Sequence, residues 1–78
     1  MKFLKTPIEG AHVIELERRE DHRGFLARMF CEHDFTAAGL EGRFVQINNS
    51  TSLRKGIVRG LHYQAPPHAE VKVMRVIR

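Results

Sequence analysis

Seventy-eight residues make one small domain at most, a length at which a single core is marginal unless a metal, a disulfide or a partner chain adds to it. Cys31 is the only cysteine, which excludes an internal disulfide, and Met1–Pro7 has no apolar stretch long enough for a signal peptide. With no run long enough to span a bilayer, the chain reads as soluble and cytoplasmic, with a formal net charge of +4.

In chain order the pattern is mostly short β runs separated by turn residues. His12–Leu16 is the first predicted strand, followed by the charged cluster Glu17–Arg23. Gly24 opens a second run, Phe25–Phe30, apolar except for Arg28. Glu32–Ala38 reads as one short helix, closed by Gly39 in the position just past a helix end. Phe44–Asn48 is a third strand, and the polar loop Asn49–Lys55 leads to Gly56, which allows a tight turn. Ile57–Gln64 follows and stops at Ala65-Pro66-Pro67, because proline cannot donate to a sheet ladder. Val71–Ile77, rich in β-branched residues, is the last strand. It is apolar and nothing covers it, so the chain is expected to be an incomplete domain.

Charge is unevenly placed. Residues 1–50 hold seven Lys/Arg against eight Asp/Glu, whereas residues 51–78 hold six against Glu70 alone, a net of +5. That asymmetry suggests an anionic partner for the second half. Nucleic acid is one candidate, but Tyr63 is the only aromatic residue after position 50, too few for a base-stacking platform. A phosphorylated small molecule fits the charge equally well, as do balancing acids elsewhere in a longer chain.

The densest concentration of chemistry is Arg59-Gly60-Leu61-His62-Tyr63-Gln64, followed after a Pro66-Pro67 turn by Glu70-Val71-Lys72. Histidine has the right pKa for proton transfer near neutrality. Arginine offers a fork that matches phosphate oxygens, and a lysine facing the same space can stabilise an oxyanion. Together these suit proton abstraction beside a carbonyl in a phosphate-bearing substrate. Without further context, a satisfied core histidine and a surface arginine account for the same residues. Arg59 and His62 are three apart, on opposite faces of a regular strand, and serve one cavity only if a bulge at Gly60 intervenes or one of them sits at a strand end.

Arg59–Gln64 resembles the signature strand of the dTDP-4-dehydrorhamnose 3,5-epimerase family. So do Asp21-x-Arg23-Gly24-Phe25, Gln46-x-Asn48 and the Pro66-Pro67-His68-Ala69 turn leading to Lys72, in the family's order across essentially all 78 residues. The resemblance implies an all-β, cupin-like jelly roll, incomplete here, with residues 1–78 as its N-terminal strands plus one short helix. It implies a homodimer at full length and a nucleoside-diphosphate 4-keto-6-deoxy sugar as substrate, epimerised at C3 and/or C5 without a cofactor. By position, His62 would be the base, Lys72 would stabilise the enolate oxygen, Arg23 and Arg59 would hold the diphosphate, and Gln46 and Asn48 would contact the nucleotide. Arg28 is a further substrate-binding candidate. It stands where the rhamnose-pathway enzymes usually have a glutamate, and Phe25–Cys31 resembles a sister branch with an Ala-Arg-x-Phe-Cys pattern.

The family's tyrosine acid and histidine-orienting aspartate have no counterpart among these residues, since Tyr63 adjoins His62 and should face the other way. Many cupins bind a metal through a His-x-His pair, but Gln64 occupies the position two after His62, so no metal is expected at His62, His68 and Glu70. The rival expectations are a non-catalytic sugar-nucleotide-binding cupin and a small basic nucleic-acid-binding domain.

Overall fold

In the computed structural model, which describes residues 1–78, the chain divides into residues 1–45 and residues 46–78. The first region opens with β1 (Lys2–Lys5) and β2 (His12–Glu15), paired antiparallel so that Phe3 faces Ile14 and Lys5 faces His12. Their six-residue connection is held by Thr6, whose hydroxyl accepts from the Ile8 N–H at 3.1 Å and lies within donating distance of the Ile8 and Ala11 carbonyls. Along His12–Leu16 the half-buried residues alternate with exposed ones, the period of a strand with one face covered.

The charged segment that follows β2 also forms a strand. β3 (Arg18–Asp21) pairs antiparallel with β4 (Gly24–Ala27), with Asp21 opposite Gly24 across a two-residue connection. Four charged residues in a row are poor strand formers. The turn compensates, because Asp21 Oδ1 accepts the Arg23 N–H at 2.8 Å and fixes the reversal locally. Across the hairpin the Arg18 guanidinium lies 4.4 Å from the centre of the Phe25 ring, a diagonal cross-strand cation–π pair. The expected strand Phe25–Phe30 is therefore shorter and shifted, ending at Ala27. Its partner begins at Arg18, so beyond Ala27 no ladder is available.

α1 (Glu32–Ala37) has Cys31 as its N-cap in extended conformation, with Glu32 and Asp34 in the first turn, where acids complement the helix dipole. Its end is one residue earlier than expected. Gly39, at φ 78°, donates to Thr36 O at 3.0 Å, and Leu40 donates to Phe35 O at 2.9 Å. These two bonds are the Schellman pair that satisfies the last carbonyls of a helix. Phe35, 1% exposed, is the centre of the first region. Phe3 (5.4 Å), Phe30 (4.8 Å) and Phe44 (6.1 Å) meet its ring edge-on, tying β1, the segment before α1 and the segment after it to one point. Gly42 is buried beside α1: a Cβ there would stand 2.5 Å from Thr36 Oγ1 and 3.2 Å from the Glu32 carbonyl, so the close approach requires glycine.

The second region, 46–78, contains no strand or helix. This corrects three expectations: Phe44–Asn48, Ile57–Gln64 and Val71–Ile77 form no ladder. Their side chains give the reason. Val45 and Leu61 are fully exposed, and Ile47, Val58, Met74 and Val76 nearly so. β-branched residues favour strands because they fit a pleated, half-buried surface, not because the isolated backbone prefers it. The apolar residues of Ile57–Gln64 and Val71–Ile77 need a covering layer to be buried as strand residues, and a lone hairpin supplies none. The turn elements do form: Gly56 has φ 85°, and the His68 N–H donates to Ala65 O at 3.0 Å across Pro66-Pro67.

The elements that do form are all β apart from one short helix, in agreement with an incomplete all-β class, with two separate two-stranded sheets. No helix is long and apolar enough to cross a membrane.

Candidate active site

In the second region the extended segments on either side of the Ala65–His68 turn bring Lys72 back to His62. Lys72 Nζ donates to the His62 carbonyl at 2.9 Å and lies 3.0 Å from Glu70 Oε1. The reversal at Pro66-Pro67 makes this approach possible over ten residues of chain. Gly60, at φ 139°, holds a backbone conformation that side-chain-bearing residues rarely adopt, and His62 Nδ1 comes within 3.9 Å of where a Cβ at position 60 would stand. The imidazole is exposed.

Arg59 is held from the other direction by the polar loop. Its Nη2 donates to the Thr51 carbonyl at 2.8 Å and its Nε to Ser52 Oγ at 3.3 Å, which leaves the Nη1 edge of the fork for an anion. Gln46 and Asn48 stand exposed at the start of this region, with amides open to a ligand. Because residues 57–64 are not a strand, the expected conflict between opposite strand faces for Arg59 and His62 does not arise.

Arg23 and Arg28 lie in the first region, and each is already engaged by an acid. Arg23 grips Asp21 through Nη2 at 2.6 Å and Nε at 3.1 Å. This side-chain grip, with the backbone bond from the Arg23 N–H, holds the Asp21 carboxyl below the usual carboxylate range and raises the guanidinium in turn. Arg28 Nη1 lies 3.8 Å from Asp34 Oδ2, and its side chain helps to line a depression of about 140 Å³ with Glu17, Arg19 and Leu26. The structure thus pairs Lys72 with His62 and sets Arg59 on its loop, while Arg23 and Arg28 are placed on the β3–β4 hairpin and the segment after it.

Sequence reasoning missed the partners of these residues. Glu70 was weighed only as a metal ligand, yet its spacing of two from Lys72 puts both carboxylate and ammonium on one side of an extended segment. Thr51 and Ser52 read as loop filler, and only the fold shows them holding Arg59. His12 was read only as the start of a strand. Its Nδ1 is buried with no hydrogen-bond partner, beside a depression of about 240 Å³ that is also lined by Lys5, Glu9 and Ala11.

The family model that matches residues 5–78 is a dTDP-sugar isomerase model, described as dTDP-4-dehydrorhamnose 3,5-epimerase. The chain belongs to the dTDP-4-dehydrorhamnose 3,5-epimerase family. It is 47% identical over 77 residues to the dTDP-4-dehydrorhamnose 3,5-epimerase of Methanothermobacter thermautotrophicus, an alignment covering 99% of this chain and 40% of the relative. The enzyme of the same name from Shigella flexneri is 40% identical over 78 residues, covering 99% of this chain and 42% of the relative. The dTDP-4-dehydrorhamnose 3-epimerase of Streptomyces niveus is 35% identical over 79 positions, covering 100% and 38%. The chain therefore spans about two-fifths of the length of the curated relatives it matches. No solved structure matches it.

Proposed function

We propose that residues 1–78 are the N-terminal part of a single jelly-roll domain in an enzyme that epimerises a dTDP-4-keto-6-deoxy sugar at C3 and/or C5, working as a homodimer without a cofactor. The observation that carries the reading is the approach of Lys72 Nζ to within 2.9 Å of the His62 carbonyl, in a chain whose family model covers both residues. His62 and Lys72 then act on neighbouring atoms of one substrate. The imidazole takes the proton from the carbon beside the C4 ketone, and the C–H electron pair moves into the ring as an enolate. The Lys72 ammonium stabilises the negative charge that develops on the C4 oxygen. Return of a proton to the opposite face inverts the centre, and the acid for that step comes from outside residues 1–78.

Arg59 meets the diphosphate through the edge of its guanidinium that the loop leaves open, with Arg23 and Arg28 as further cations and Gln46 and Asn48 for the nucleotide. The name of the Streptomyces niveus relative specifies C3 alone, so inversion at C3 is the part of the reaction shared by all three relatives' names.

The test is deuterium exchange. In D2O the full-length enzyme should wash deuterium into C3 of a dTDP-4-keto-6-deoxy sugar, followed by proton NMR. His62→Asn keeps the approximate shape but cannot take the proton, and should slow exchange by about 10²-fold or more. Exchange at the parent rate in His62→Asn would place the base elsewhere.

A further inference from the structure

We infer that Glu70 is a positioning residue for Lys72, one that aims the lysine's ammonium at the substrate oxygen. The inference rests on the catalytic reading of Lys72 given above. A lysine ammonium has three N–H donors and sits on a flexible four-carbon stem, so by itself it points nowhere in particular. Here one N–H goes to the His62 carbonyl at 2.9 Å, and the Glu70 carboxylate lies 3.0 Å from the ammonium as its ion partner. Donor capacity is left for a ligand. The bond to the His62 carbonyl ties Nζ to the backbone of that residue but leaves the ammonium free to swing around the contact. A second anchor two positions back along the chain restricts the swing.

Stability is not the purpose of this pair. Both side chains keep more than a third of their surface in water, where an ion pair contributes little to folding. Glu70 is also the only acid among residues 51–78, set beside the one lysine of that stretch assigned to the chemistry. The carboxylate would also repel substrate phosphate, so it suits a place near the sugar's carbonyl rather than near the diphosphate held by Arg59.

The experiment is a double-mutant cycle in the full-length enzyme, read as steady-state kcat and KM. Glu70→Gln is nearly isosteric and exposed, so its melting temperature should match the parent's. It should lower kcat by about tenfold, within the range for coupled contacting residues, with KM nearly unchanged. In a Lys72→Ala background the same substitution should have no further effect on kcat, because the group it positions is gone. A normal kcat in Glu70→Gln, an effect on KM alone, or an equal loss in both backgrounds would overturn the inference while leaving the role of Lys72 intact. A normal kcat in Lys72→Ala would overturn the catalytic reading and this inference with it.

Discussion

Residues 1–45 and residues 46–78 have similar shares of apolar residues, 20 of 45 and 13 of 33, yet only the first region builds a core. The kind of apolar residue separates them. All five phenylalanines fall in the first region, and three of them gather around a fourth, Phe35, on α1. The second region carries valine and isoleucine spread along extended segments, with a single tyrosine. A ring on one helix can bury its area against three neighbours, one on a strand and two on the segments flanking the helix. A β-branched side chain needs a sheet underneath it and a second layer above. The first region supplies its own partners; the second leaves its apolar residues in solvent while holding most of the residues assigned to chemistry.

The strongest way to break this contrast is Phe35→Ala. Removing the hub of three ring pairs should cost about 3–5 kcal/mol, enough to unfold a region of this size. Near-UV circular dichroism and loss of the β1–β2 amide cross-peaks would report it. Leu61→Ala, at a fully exposed position in the second region, should stay within about 0.5 kcal/mol of the parent. Equal costs at the two positions would show that the second region has a core of its own.

Gly42→Ala is a smaller probe of how tightly the first region packs. The new methyl meets Thr36 Oγ1 and the Glu32 carbonyl, and overpacking of this kind should cost about 1–3 kcal/mol in urea unfolding. Thr36→Ala should recover only part of it, since the backbone carbonyl at 3.2 Å cannot step aside as a side chain does. Full recovery would locate the whole conflict in the threonine.

The smallest effect concerns the β3–β4 turn and acid. Asp21 is held below its ordinary value in the folded hairpin by the Arg23 side chain and N–H, and rises to about 3.9 when the hairpin opens. A depressed folded value stabilises the hairpin above about pH 3.9, and the contribution is lost as the pH falls through the folded value. Amide shifts of Gly24 and Leu26 should therefore move toward open-hairpin values only in strong acid, and Asp21→Asn should remove that transition. The pair is exposed, so salt should weaken the effect.

The parts of this protein legible in the sequence were those set by a few adjacent residues. His12–Leu16 read as a strand, Gly39 marked the end of α1, and Gly56 and Pro66-Pro67 marked reversals that the chain makes. The motif order from Asp21 to Lys72 sufficed to indicate the family, because a family's chemistry is carried by residue types at fixed spacing and survives without any view of the fold. β3 was hidden because strand composition averages argue against Arg18-Arg19-Glu20-Asp21, and only pairing with β4 makes it a strand. Likewise Val71–Ile77 has the composition of a strand and is not one here, since the ladder and the covering layer that composition calls for must come from other segments. Tertiary structure alone set Lys72 against the His62 carbonyl and the loop carbonyl of Thr51 against Arg59. Such pairings depend on where a turn returns the chain in space, to within the 3 Å of a hydrogen bond. Residue identity limits which pairs are chemically possible, and the path of the backbone selects among them.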